Sequence, residues 1–268
     1  MIDVALSPCP NDTFLFAPWI EGFVESKYPI TPHFADIQTL NKWAFSKRFP
    51  LIKISVAVFP KLLPFYQLLP VGAALGFGCG PKLIGKKPYT LADLPNLTVA
   101  IPGEDITAHT LLSHFAPSPK EKHFCLYHEI FPLLNSDEVD CGLIIHESRF
   151  TYSEAGFFEI ADLGELWEKK TSLPLPLGAL AIQKSLPEPQ KKGLTRALQD
   201  SLLYSKSHPE KSLPLILKHA QELSPEIVQK HIETYVTKET EILSEEGKKA
   251  IETLLSCPLP PDWVYSPS

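Results

Sequence analysis

No run of Lys or Arg in this chain exceeds two residues; pairs such as Lys86-Lys87, Lys169-Lys170 and Lys191-Lys192 stand isolated in a chain of formal net charge -6. A nucleic-acid binder carries a basic patch or stripe, so that class is excluded. The 268 residues hold no apolar stretch near the length of a membrane-spanning helix. A secretory signal is missing too: Asp3 stands where a basic segment is required, and the apolar run around it is too short. These absences predict a cytoplasmic protein with no membrane insertion. The five cysteines, Cys9, Cys79, Cys125, Cys141 and Cys257, are odd in number and form no CxxC. They read as reduced thiols rather than a disulfide framework. No Cys/His pair has zinc-finger spacing, so no metal is expected. GxGxxG is absent, and with it the case for a dinucleotide site.

What is present is a well-filled globular composition, 44% hydrophobic and 21% charged. Its 27 prolines fall mostly at joints between segments, as in a rigid scaffold. Short apolar runs alternate with helical periodicity, which predicts an α/β fold. Strands are expected at 2–6, 30–35, 51–59, 82–84, 97–101, 123–127, 139–145, 157–160 and 179–183. Asn11 or Asp12 can cap a helix running toward Glu25. Further helices are expected at 39–46, from Ile106 to about His114, at 129–134 and at 164–170. The remainder, 187–255, is helical, with stripes at Leu194, Leu198, Leu202 and Leu203, then 213–223, then 227–235.

Two proline-broken stretches, 86–96 and 173–178, read as crossings between lobes. The predicted organisation is a discontinuous first α/β lobe, residues 1–90 and 185–268, with a second α/β lobe, 91–184, inserted into it. Such an arrangement places a ligand cleft between lobes.

The most informative segment is VDCGLIIHESRFTY, residues 139–152. Its apolar start reads as a strand buried on both faces, and it ends abruptly in His146, Glu147, Ser148 and Arg149. Ligands in open α/β sheets sit at the carboxyl ends of strands. A histidine there titrates nearest neutral pH and is a candidate base. Strand 51–59 alternates, so Lys53 and Ser55 share one face. Lys53 reads either as a ligand contact or as a solvated edge lysine. The stretch VGAALGFGCGP, 71–81, packs four glycines into eleven residues and reads either as a site-lining loop or as a tight connection.

Seven segments in order, SPCPNDTF, KIS, the glycine-rich loop, IPGEDITA, IIHESRFTY, DLGELWE and LPLPLGAL, resemble the 1,4-dihydroxy-6-naphthoate synthases of the futalosine route to menaquinone. The resemblance spans nearly the whole chain. It implies a two-lobe type II periplasmic-binding-protein-like fold. It implies a lyase that converts cyclic dehypoxanthine futalosine, a small-molecule carboxylate, into 1,4-dihydroxy-6-naphthoate and dihydroxyacetone, with no metal or organic cofactor. His146 matches the family's base. Lys53, Ile54, Ser55, Thr107 and Ala108 match its substrate contacts. Two positions depart from the pattern: Phe77 stands where relatives often carry Arg, and Ile106-Thr107 where they usually carry two threonines.

Several residues keep two readings. Thr107 either joins a helix start in binding an anion or only caps it. Asn11 and Asp12 either meet the sugar hydroxyls or cap a helix. Glu147 and Arg149 either orient His146 or pair with each other. Two other functions compete: chorismate dehydratase of the same pathway, and a solute-binding protein without chemistry. Exported binders need a signal, which counts against the second.

A ligand touching both predicted lobes should shift the population toward a closed form. Small-angle scattering with and without a product analogue checks this, and a smaller radius of gyration at saturation is the expected outcome. An unchanged radius would mean a preformed cleft.

Overall fold

The computed structural model describes residues 1–220 and 224–267. Leu223, where one expected helical stripe ends, lies outside them. The chain divides into two compact units: Met1–Gly76 with Pro176–Ser268, and Phe77–Leu175.

In chain order the first unit holds β1 (Ile2–Leu6), α1 (Pro10–Ile20), β2 (Ile30–Phe34), α2 (Ile37–Phe45), β3 (Leu51–Ser55), α3 (Phe59–Leu62), β4 (Tyr66–Leu68) and β5 (Ala74–Gly76). The second unit holds β6 (Lys82–Gly85), β7 (Thr98–Ile101), α4 (Thr107–Phe115), β8 (Glu121–Phe124), α5 (Ile130–Asn135), β9 (Cys141–Ile144), α6 (Ser148–Thr151), β10 (Phe158–Asp162) and α7 (Leu163–Thr171). The chain returns through β11 (Leu175–Gln183) to α8 (Glu188–Ser207), α9 (Pro209–His219), α10 (Pro225–Tyr235), α11 (Lys238–Glu241) and α12 (Glu245–Leu255).

The first unit's sheet runs β2-β1-β3-β11-β4, with β5 also pairing β11. β2, β1 and β3 are parallel, whereas β11 runs antiparallel to β3, with Leu180 opposite Lys53 and Gly178 opposite Ser55. All five residues of β3 are buried. The alternation in its sequence is therefore one of chemistry, not of exposure. The strand also stops at Ser55, and the expected continuation to 59 is a 3-10 turn at Val56–Val58 leading into α3. One core joins Val4, Leu6, Leu51, Leu180 and Ile182 of the sheet to Phe14 and Trp19 of α1 and to Leu194, Leu198 and Leu202 of α8. The predicted stripe on α8 is thus buried except for Leu203, which is 61% exposed and lies off the face set by its partners.

α1 departs from expectation at both ends. Pro10 opens it at the first helical position, where a missing N–H costs nothing, and no side chain caps it. Neither Asn11 nor Asp12 is the cap. It ends at Ile20, short of Glu25, because Gly22 adopts a left-handed φ of 77°. Gly22 N then donates to Trp19 O and Phe23 N to Pro18 O, the paired bonds that close a helix on glycine.

Inside α1, Pro18 has no N–H for the carbonyl of Phe14. α8 repairs the gap. Ser205 Oγ donates to Phe14 O at 2.6 Å. Ser201 Oγ donates to Leu15 O at 2.6 Å and accepts from Trp19 N at 3.3 Å. Both serines are fully buried.

The second unit's sheet runs β10-β6-β9-β7-β8. β9, β7 and β8 are parallel, and β6 runs antiparallel to β9. Gly142 sits inside β9 because a Cβ there would come within 2.4 Å of Ile130 Cγ2 on α5. The core joins Ile84, Ala100 and Ile144 to Ile130, Leu134, Val139 and Phe157. β8 starts and ends earlier than the predicted 123–127, and its four residues are exposed at the sheet edge.

Replacing Ser205 by Ala leaves the Phe14 carbonyl buried and without a donor. The expected loss is about 1–3 kcal/mol. Thermal melts check it, at about 2–4 °C per kcal/mol for a chain this size.

Candidate active site

In the first unit, the polar groups gather where β1 and β3 end. The carboxylate of Asp12 is 1% exposed, yet it accepts four hydrogen bonds. Ser7 donates to Oδ2 through Oγ at 2.7 Å and through N at 3.3 Å. Asn11 Nδ2 donates to Oδ1 at 2.9 Å, and Lys53 Nζ to the same oxygen at 2.7 Å. Lys53 also donates to Gly72 O at 3.2 Å. A carboxylate cannot stay charged out of water without such partners. Lys53 is therefore neither a solvated edge lysine nor a loose cation. It is 5% exposed and held as half of a buried ion pair.

Ser55, at the end of β3, is fixed from α2. Asn41 Nδ2 donates to Ser55 Oγ at 3.0 Å, and Ser55 N donates to Asn41 Oδ1 at 2.9 Å. The accepting hydroxyl keeps its own proton to donate. Ile54 is fully buried, main chain included.

In the second unit, three neighbouring parallel strands lead at their carboxyl ends to Thr107 (β7), Tyr127 (β8) and His146 (β9). His146 is half-buried and holds φ at 58°, the left-handed region that costs an ordinary residue about 1–2 kcal/mol. The rings of Tyr127 and His146 meet edge to face with centroids 5.1 Å apart. Thr107 is 3% exposed and occupies the first helical position of α4, one residue past the cap it was expected to form. The cap position belongs to Ile106, which has no side-chain oxygen to offer. The hydroxyl missing relative to the family pattern is thus a capping one, and the first-turn N–H groups, including that of Ala108, lack intrahelical acceptors.

Arg149 reaches away from its chain neighbours. Its guanidinium, 7% exposed with the residue as a whole, donates to Gly78 O and, at 3.3 Å, to Asp162 Oδ2. Asp162 also caps α7 through Gly164 N and Glu165 N and receives Lys82 at 3.0 Å. Glu168 accepts from Gly78 N at 2.7 Å. The glycine-rich loop is thus tied at Gly78 to α6 and α7. Phe77 is 57% exposed. Burial pushes the neighbouring Cys79 thiol up to about 12, so it stays protonated and packs as a small apolar group.

A family profile described as menaquinone biosynthesis matches residues 2–258. The 1,4-dihydroxy-6-naphthoate synthase of Thermus thermophilus is 42% identical over 94% of this chain and 92% of its own length. The chain belongs to the menaquinone biosynthesis family. The Streptomyces coelicolor synthase, a second relative, is 40% identical over 95% of this chain and 92% of its own.

Solved structures give the fold of this family member. A protein from Archaeoglobus fulgidus superposes with a TM-score of 0.90 at 29% identity, covering 95% of both chains. A Candida albicans protein described as having the generic periplasmic-binding-protein fold gives 0.65 at 13% identity, over 98% of this chain and 92% of that one. The fold is that of type II periplasmic binding proteins, as the sequence resemblance implied.

Sequence reasoning missed the roles of Asn41, Asp162 and His231, whose Nε2 lies 2.9 Å from Asn11 Oδ1. His231 carried no local motif that tied it to a site, and Asp162, though it opens the DLGELWE segment, gave no sign of its contacts with Arg149 and Lys82. Asn41 lies on a predicted helix, opposite a serine it meets only once α2 packs on β3.

Removing one member of the Asp12–Lys53 pair leaves the other buried and uncompensated. Asp12→Ala is expected to lose about 3–5 kcal/mol. The double variant Asp12→Ala/Lys53→Met should recover much of that loss, and urea denaturation of the three proteins checks it.

Proposed function

We propose that this chain is the carbon–carbon lyase that converts cyclic dehypoxanthine futalosine into 1,4-dihydroxy-6-naphthoate and dihydroxyacetone, with His146 as general base. The observation that carries the reading is His146 itself, placed at the carboxyl end of β9 in a left-handed turn that the fold must hold against its cost. The naming of two relatives as 1,4-dihydroxy-6-naphthoate synthases supports the same substrate.

The chemistry asks for a base, an orientation and a dry environment. Aromatisation to the naphthoate supplies much of the driving force. Proton removal accompanies a retro-aldol cleavage, in which the electron pair of an O–H bond becomes the new C=O and the C–C pair passes into the ring. A neutral imidazole accepts the proton near pH 7, a contribution of about 10²–10⁴-fold. Thr107 and the first-turn amides of α4, Ala108 included, supply donors suited to a carboxylate. Lys53, Ile54, Ser55, Asn11 and Asp12 are read as binding residues on the family resemblance; the buried Asp12–Lys53 pair acts by holding Asn11 in place rather than by open groups of its own. The reaction as proposed uses no metal or organic cofactor.

Incubation of the cyclic substrate with substoichiometric protein tests the function. Many equivalents of 1,4-dihydroxy-6-naphthoate per protein are expected, and chorismate should remain unchanged. Binding without turnover, or dehydration of chorismate, would refute it.

His146→Asn is the sharper test of the base, because Asn tolerates the left-handed region while lacking a suitable pKa. Turnover should fall by about 10²-fold or more, with the melting temperature little changed. Ser55→Ala and Thr107→Val should raise KM more than they lower kcat, by about two- to tenfold for a lost hydrogen bond.

A further inference from the structure

His231 lies in the interior of the first unit at 1% exposure, far in sequence from every residue assigned above. It projects from α10, its ring 4.4 Å from that of Tyr235 one turn on. Its Nε2 lies 2.9 Å from Asn11 Oδ1.

The direction of that bond follows from its neighbours. Asp12, paired with Lys53, is a carboxylate and can only accept. Asn11 must therefore turn its amide nitrogen toward Asp12 Oδ1, which leaves its oxygen facing His231. An amide oxygen only accepts, so the proton sits on His231 Nε2. The chain of donors runs His231 to Asn11 to Asp12, and Lys53 and Ser7 close on the same carboxylate. Asn11 is half-buried, and its second N–H has no acceptor among the described residues.

We propose that His231 is a positioning residue, which locks the Asn11 amide so that its remaining N–H is presented to a substrate oxygen, a hydroxyl or a carboxylate. This rests on the reading that Asn11 and its neighbours bind substrate. Without the imidazole donor, the Asn11 oxygen loses its partner and the amide is held only at its Asp12 end, so its remaining N–H can swing away from the substrate oxygen.

Two measurements test it. In His231→Phe the ring volume is kept and the donor lost. KM for the cyclic substrate should rise about three- to tenfold, the scale of one hydrogen bond, with kcat within about twofold. His231→Gln, whose amide can donate from a similar position, should restore most of the loss. An unchanged KM in His231→Phe beside a raised KM in Ser55→Ala and Thr107→Val would overturn the positioning role alone. Unchanged KM in all of them would remove the binding reading and this role with it. Should His231→Phe fail to fold, nitrogen-15 NMR of the wild-type imidazole decides. A protonated Nε2 is expected, and an Nδ1–H tautomer with bare Nε2 would overturn the proposal.

Discussion

A carboxylate removed from water has to be surrounded by donors, and the first unit is arranged around that requirement at Asp12. The turn after β1 brings Ser7, the first turn of α1 brings Asn11, and β3 brings Lys53. Each of these elements must be in register for the charge to be tolerated, since an isolated buried carboxylate costs several kcal/mol. Lys53 in turn grips the carbonyl of Gly72, so the segment leading to β5 is located by the same ion pair. Ser55 lies two residues along β3 from Lys53 and is held by Asn41, which makes the strand end rigid on both sides. The polar groups that face the strand ends are therefore fixed before any ligand arrives, which limits the ordering cost of binding.

The second unit meets a different constraint. A parallel sheet aligns the carboxyl ends of β7, β8 and β9, and the rings of Tyr127 and His146 meet beyond them. His146 reaches its place through a left-handed residue, and α6 begins two residues later. Arg149 on that short helix is anchored at Asp162 and Gly78, so the turn carrying the histidine is tied to the start of α7.

Much of this was legible in the chain. Period-two and period-3.6 patterns located the strands around β1, β3, β7 and β9 and the stripe on α8, because burial on a face is written in residue order. The strand end at His146 was visible as an abrupt change from apolar to polar residues. Other features were misread for identifiable reasons. Asn11 and Asp12 have the chemistry of helix caps, but Pro10 takes the first helical position and Lys53, 41 residues away, claims the carboxylate. β3 was read too long because Val56 and Val58 are buried by a 3-10 turn that keeps the apolar pattern of a strand. Arg149 binds Gly78 and Asp162 across the unit, contacts that no spacing in the sequence announces. His231 stood 220 positions from Asn11 with no motif to join them.

The central claim is the proposal that His146 and Thr107, which follow neighbouring parallel strands, serve the chemistry of one site. A crystal structure with 1,4-dihydroxy-6-naphthoate bound tests it most directly. The account predicts a naphthoate oxygen within about 3 Å of an imidazole nitrogen of His146, and the ligand's carboxylate or hydroxyl on Thr107 Oγ1 or the first amides of α4. A naphthoate bound with neither His146 nor Thr107 in hydrogen-bond reach would contradict it.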